Sequence, residues 1–304
     1  MPSIQSPLGA LPARFRRERL LIVGCGDVGL RVVKLAKPNV RVMAITSQET
    51  RIPQLRSLGV TPLRGNLDQP HTLRRLGGLA TRIVHLAPPP LSGGTDPRTA
   101  SLVQAMRLRA PAVSVVYGST TGVYGDCQGA WVTETRATHA HTDRAQRRLN
   151  AEQWIRLWGA SGVLRASILR VPGIYALDRE GGTPRERLMR QTPVLCPEDD
   201  VYTNHIHADD LALAFWLSVW RNKPQRVLNV NDDTQMTMGA YVEWAADLWG
   251  LPKPKRITRE EAKVQLSTML MSFMSESRRM DNTRMKIELK LKLRYPTIKE
   301  GLSG

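Results

Sequence analysis

The sequence predicts a doubly wound α/β protein, a parallel sheet covered by helices on both faces. Two observations predict it. From residue 19 onward, short apolar runs of strand length alternate with segments of helical periodicity. A Gly-x-Gly-x-x-Gly turn, Gly24-Cys25-Gly26-Asp27-Val28-Gly29, then stands between the first such run and the first such segment. With 304 residues, 41% of them hydrophobic, the chain can bury one large core or two lobes that share one.

Strands are expected over 20–23, 40–45, 60–63, 83–87, 113–117 and 163–169, because each is a short apolar run rich in Val, Ile and Leu. Helices are expected between them, over 28–36, 52–58, 72–76, 98–109 and 143–158. After Pro172 the alternation stops, and 173–200 reads as a Gly/Pro/charge-rich excursion with one short helix at 185–190, the pattern of a substrate loop. A helix over 209–220, a strand over 227–230 and a helix over 238–249 follow. Thr258 and Glu261 form a capping-box pattern opening a helix that runs to about residue 273. Another helix opens near 277–282, capped by Asp281 or Asn282, with Met285, Leu289 and Leu293 to pack. The expected division is a basic flexible tail over 1–18, a nucleotide-binding domain over 19–172, and a mainly substrate-binding lobe over 173–304, with parts of 201–230 returning to the first core.

The glycines carry the clearest chemistry. In such a turn the first Gly allows the tight bend, the second lets a pyrophosphate approach the backbone, and the third lets helix and strand pack closely. Free N–H groups at the helix start, around Asp27 and Val28, then face the phosphates. Gly24, Gly26, Asp27, Val28 and Gly29 are therefore assigned to a dinucleotide. The second strand ends Ala44-Ile45-Thr46-Ser47 without the acid that would hold a ribose 2′-hydroxyl, and Glu49 falls past its tip. Thr46 with Arg51 suits a 2′-phosphate, so NADP is favoured and NAD stays open. The plainer reading has Thr46 and Ser47 capping the next helix, with Arg51 as surface charge.

Lys and Arg number 44 against 27 Asp and Glu, a net charge of +17. The excess is spread along the chain, which favours a solvated basic surface first, an anion-attracting substrate mouth second, and nucleic acid least. No run is long and apolar enough for a membrane span, and 1–19 lacks the apolar run of a secretory signal. Cys25, Cys127 and Cys196 are odd in number and far apart, which fits a reducing cytoplasm rather than a disulfide framework. The His139/His141 and His205/His207 pairs lack supporting ligands at metal-site spacing, so no metal is assigned.

Further motifs carry a family resemblance. Tyr117-Gly118-Ser119-Thr120-Thr121-Gly122-Val123-Tyr124-Gly125-Asp126 resembles the S-S-x-x-V-Y-G signature of extended short-chain dehydrogenases/reductases, the NAD(P)-dependent epimerase/dehydratase family. Gly65-Asn66-Leu67-Asp68, Leu169-Arg170-Val171-Pro172-Gly173-Ile174-Tyr175 and Asn204-His205-Ile206-His207-Ala208-Asp209-Asp210 match it in the same order. The likeness covers about 19–230. It implies a Rossmann domain with a smaller C-terminal substrate lobe, adenine near Asn66 and Leu67, and ribose and nicotinamide near Ala87, Pro88, Thr120 and Val171-Pro172. A homodimer through the helix from residue 143 is common in that superfamily.

Two departures stand out. Asn66 replaces an Asp, and an amide can still hydrogen-bond adenine. The Tyr-x-x-x-Lys pair, by contrast, falls on Arg144 and Arg148 when the helix is matched by Glu152. Arginine stays protonated, so neither residue can serve as general acid or base near neutrality. The chain resembles the atypical members of the superfamily. The implied activity is an NAD(P)-dependent oxidoreductase or epimerase-like enzyme acting on a small, sugar-like or anionic carbonyl/hydroxyl substrate. Thr120 would orient the reacting oxygen, Arg148 would hold the cofactor ribose, and Arg144 or Tyr124 would complete the site. The alternative is a cofactor-binding sensor or regulator without turnover.

Overall fold

The computed structural model describes residues 18–108 and 112–303; the basic tail expected before residue 18 lies outside them, as does the last residue of the helix expected over 98–109. Seven strands form the central sheet: β1 (Glu18–Val23), β2 (Val40–Thr46), β3 (Thr61–Arg64), β4 (Arg82–His85), β5 (Ser114–Thr120), β6 (Arg165–Val171) and β7 (Arg226–Asn229). Their order is β7-β6-β5-β4-β1-β2-β3, and every neighbouring pair is parallel. The chain runs outward from β1 to β3 and then crosses back to place β4 on the other side of β1. That reversal opens a crevice above the carboxyl ends of β1 and β4, where open α/β sheets bind their ligands.

Alternation along β1 sorts the core into two faces. Leu20 and Ile22 join the cluster containing Val32 of α1 (Asp27–Lys34) and Leu211 and Phe215 of α6 (Ala208–Arg221). Leu21 and Val23 join the opposite cluster, with Leu102 of α3 (Pro97–Met106) and Ile155 and Trp158 of α4 (Asp143–Gly159). The remaining helices are α2 (Ile52–Ser57), α5 (Arg185–Met189), α7 (Met238–Trp249), α8 (Arg259–Gln265), α9 (Thr268–Met274), α10 (Thr283–Leu289) and α11 (Ile298–Leu302). A further cluster joins Leu188 of α5, Tyr241 and Val242 of α7, Tyr175, and Ile298 and Leu302 of α11.

Two expectations need correction. Residues 72–76 are not an α-helix: the chain makes a 3-10 turn over Pro70–Leu73 and ends its apolar run at Gly77-Gly78. The helix expected over 258–273 is two, because the Ser267 side chain accepts from Leu270 N (3.3 Å) and starts α9 afresh. The capping box at Thr258 and Glu261 is present as expected. Before α10, Arg279–Met280 pairs as a short parallel strand with Trp131–Val132. Met285 and Leu289 of α10 and the following Leu291 pack in the cluster of Leu20 and Ile22. No helix among the described residues is long and apolar enough to cross a membrane.

Candidate functional site

The three glycines of the turn meet three different surroundings. Gly24 has φ +87°, and a β-carbon there would press on Ala87 N and lie 2.7 Å from Ala87 Cα and 2.9 Å from the Leu86 carbonyl carbon. Only glycine lets β1 leave the sheet this close to the exit of β4. A β-carbon on Gly29 would touch Gly24 O at 3.1 Å and Ile22 Cγ2 at 3.4 Å, the close approach of α1 to β1. A β-carbon on Gly26 would meet nothing within 4 Å. Gly26 caps α1 without any side-chain hydrogen bond, so the first N–H groups of the helix point into that open space.

Asp27, at the first turn of α1, would repel a phosphate if left bare. It is neutralised from two sides: Arg31 Nε reaches its Oδ1 at 3.0 Å and Arg179 Nη1 its Oδ2. Arg31 also binds Asp178 (2.6 Å) and Asp209 (2.5 Å), which ties α1, the loop at 176–182 and the start of α6 together. Arg51 Nη2 donates to Cys25 O at 2.6 Å, so its guanidinium lies over the glycine turn. Thr46 Oγ1 accepts from Gln48 N at 3.1 Å, and Glu49 is engaged by Arg64 at 3.1 Å. Asn66 Oδ1 accepts from Asp68 N (3.0 Å), while Asp68 grips Arg98 through two 2.7 Å bonds and Arg98 reaches Pro88 O at 3.2 Å.

Beside this turn lies a cavity of about 820 Å³ between the tips of β4, β5 and β6 and the segments that follow β6. Its wall includes Pro88, Thr120, Pro172 and Tyr175, together with seven arginines against three glutamates. Thr120 ends β5 opposite Val171, and its Oγ1 accepts from Gly122 N at 3.3 Å. Arg144 lies with its guanidinium 4.5 Å over the Phe273 ring, and burial lowers its pKa from the usual arginine value. Arg148 donates to Gly118 O at 2.7 Å and to the Tyr117 hydroxyl at 3.2 Å. Burial pushes that phenol up to about 12, so Tyr117 is a neutral prop for Arg148.

The structure thus brings Thr120, Arg144, Arg148 and Pro88 to one cavity. Tyr124 is placed elsewhere: it is fully buried, its hydroxyl donates to Asn229 Oδ1 at 2.8 Å, and Arg170 stacks 4.5 Å over its ring. Arg170 in turn binds Glu152 through bonds of 3.0 and 2.7 Å, and Glu152 accepts from Ser119 Oγ at 2.6 Å. This buried set locks the tips of β5 and β6, and so the positions of Thr120 and Val171. The sequence reading missed Arg147, Arg179, Arg187 and Arg278, which also line the cavity. Their only signal was the charge of α4, of the excursion after Pro172 and of the segment before α10.

The sheet order, the turn and the crevice define a Rossmann-fold protein, and residues 20–118 match the TrkA-N domain family. The chain is 31% identical to a functionally unknown conserved protein from Silicibacter pomeroyi, over 94% of this chain and 96% of the other, with a TM-score of 0.77. It belongs to the family of that protein. MoeE5 in complex with UDP-glucose and NAD (21% identity, TM-score 0.72) and UDP-glucose 4-epimerase of Thermotoga maritima with UDP-glucose (16%, 0.75) share its fold. Each is covered over 96% of its length by 94% of this chain. No curated protein matches the chain.

Proposed function

We propose that the protein is an NAD(P)-dependent oxidoreductase or epimerase-like enzyme acting on a small, anionic or sugar-like carbonyl/hydroxyl substrate. The observation that carries this reading is the open space at Gly26, beside two glycines that have no such room and next to an arginine-rich cavity. A bare helix start of this kind gives a phosphate-bearing ligand close approach to the backbone, which supports this reading. Gly24, Gly26, Asp27, Val28 and Gly29 would hold the pyrophosphate, Asn66 and Leu67 the adenine, and Ala87, Pro88 and Val171 the nicotinamide side. NADP is favoured because Glu49 is engaged by Arg64 while Arg51 lies at the turn, with Thr46 at the strand tip.

The bound nicotinamide would supply hydride exchange. The chain's own residues bind and orient: Thr120 Oγ1 presents a hydroxyl at the end of β5, Arg148 is fixed by Gly118 O, and Arg144 offers a desolvated cation to an anionic or carbonyl oxygen. The lobe from residue 173 closes the other side of the cavity. A second reading, a nucleotide-binding sensor without turnover, is favoured by the two guanidinium groups at the places of the Tyr and Lys.

Calorimetric titration with NADPH and NADH at about 0.3 M salt, where surface charge is screened, tests the first step. Micromolar binding with preference for NADPH is the expected result, and no binding of either would overturn both readings. Substrate-dependent change in NADPH absorbance then separates enzyme from sensor.

A further inference from the structure

One cation of the cavity stands apart. Arg187, on α5, lines the cavity, and its guanidinium has neither ion pair nor hydrogen bond among the described residues. Its neighbours in charge are Tyr241 and Arg190, neither of which neutralises it. The helix that carries it is nonetheless held: Leu188 anchors α5 in the cluster of Tyr241 and Val242, and Thr192 N closes the helix end on Arg187 O at 2.9 Å.

Across from it sits His205, 7% exposed, on the short strand that pairs with Gly173–Tyr175 directly after β6. Its ring packs 4.4 Å from that of Tyr241, and neither of its nitrogens has a partner, Nδ1 being fully buried. Burial and the Arg187 charge hold the imidazole neutral, with its pKa down at about 3. The Tyr241 hydroxyl is likewise free of hydrogen bonds among the described residues. A buried polar group without a partner costs stability, and so does a desolvated cation without a counterion. His205 Nδ1 is such a group, and the Arg187 guanidinium and the Tyr241 hydroxyl, both unpartnered, line the same cavity.

We infer that Arg187, His205 and Tyr241 form an oxyanion subsite, which receives a carboxylate or phosphate group carried by the substrate. The planar guanidinium supplies the charge and a fork of donors, the phenol one O–H, and the neutral imidazole one N–H. The subsite rests on the reading of the cavity as the substrate's and narrows the substrate to one with an anionic group. Its residues differ from Arg144, which stacks on Phe273, and from Arg148, which binds Gly118 O at the tip of β5.

The test uses the full-length protein and two probes, inorganic phosphate and malonate, in thermal-shift titrations at constant ionic strength near 0.3 M with chloride as the replaced ion. Stabilisation by either probe reports its dissociation constant. For wild type at least one probe is expected to bind, with the stronger probe telling phosphate from carboxylate. Arg187→Gln is expected to weaken it tenfold or more without lowering the melting temperature of the free protein, since it removes a cation that has no partner. Tyr241→Phe should weaken it by a smaller factor, Arg187→Lys should restore part of the phosphate response, and the exposed Lys253→Gln should change nothing. Equal binding by wild type and Arg187→Gln, or no response of wild type to either probe, would overturn the subsite. NADPH affinity is read on the same Arg187→Gln sample and should be unchanged; its absence in wild type would sink the cofactor reading instead.

Discussion

Two glycines two residues apart should respond to the same substitution in opposite ways. At Gly24 an added methyl must sit at φ +87°, which costs an L-residue roughly 1–2 kcal/mol. It also lies 2.7 Å from Ala87 Cα, an overpacking against backbone that costs about 1–3 kcal/mol more. Gly24→Ala is therefore expected to lose about 2–5 kcal/mol, a fall in Tm of roughly 3–8 °C for a chain of this size. Gly26 has φ −81° and nothing within 4 Å, so Gly26→Ala should stay within about 1 kcal/mol of wild type. What it should lose is nucleotide: the methyl fills the space a pyrophosphate needs, at the cost of one charge-assisted hydrogen bond or more. That is about 1.5–3 kcal/mol, a 10- to 100-fold weaker dissociation constant. Urea denaturation and calorimetric titration with NADPH read the two quantities separately. A Gly26→Ala protein that binds nucleotide as wild type does would refute the reasoning, because the open space would then belong to no ligand.

Two further outcomes concern buried charge. Glu152→Gln keeps the shape but leaves Arg170, 3% exposed, without its counterion, and should cost about 3–5 kcal/mol in urea denaturation; a loss under 1 kcal/mol would show that the set does not hold the tips of β5 and β6. Asp232 is 1% exposed, and burial pushes its carboxyl up to about 7 despite the bond from Thr234 N at 2.9 Å. Between about pH 4 and pH 7 the folded protein keeps a proton that the unfolded chain has released, so stability falls as pH rises through that window. Asp232→Asn should remove this slope and gain on the order of 2–4 kcal/mol at pH 8 relative to wild type, and parallel pH profiles of the two proteins would exclude the assignment.

The strands and the nucleotide turn were legible because their signals are local. Val, Ile and Leu runs define β1, β2, β5 and β6 to within two residues at each end except the tip of β5, where polar Ser119 and Thr120 continue the ladder for a reason found only across the sheet. The glycine spacing likewise needs no partner from elsewhere. The arginine cavity is different, since its charges come from α4, from the loop after β6, from α5 and from the segment before α10, and only the crossovers bring them together. Tyr124 shows the same limit: its motif places it near the site, but whether the ring turns inward depends on Arg170 and Asn229, 46 and 105 residues on. Ser267 was overlooked because a capping residue inside an apolar run looks like one polar position on a continuous helix.

The return of α10 to the first core has a consequence for how the molecule is made. Met285, Leu289 and Leu291 pack beside Leu20 and Ile22, about 265–270 residues earlier in the chain. The central sheet can assemble on the ribosome with α1 and α6 already on this face, but the part of the cluster that α10 covers, against α6 and β7, stays open to water until residues 283–291 have left the exit tunnel. A nascent chain stalled before residue 283 would thus present an uncovered apolar surface, and chaperones would meet that surface in every molecule synthesised. The last segment acts as the closing stitch of the domain begun by the first strand.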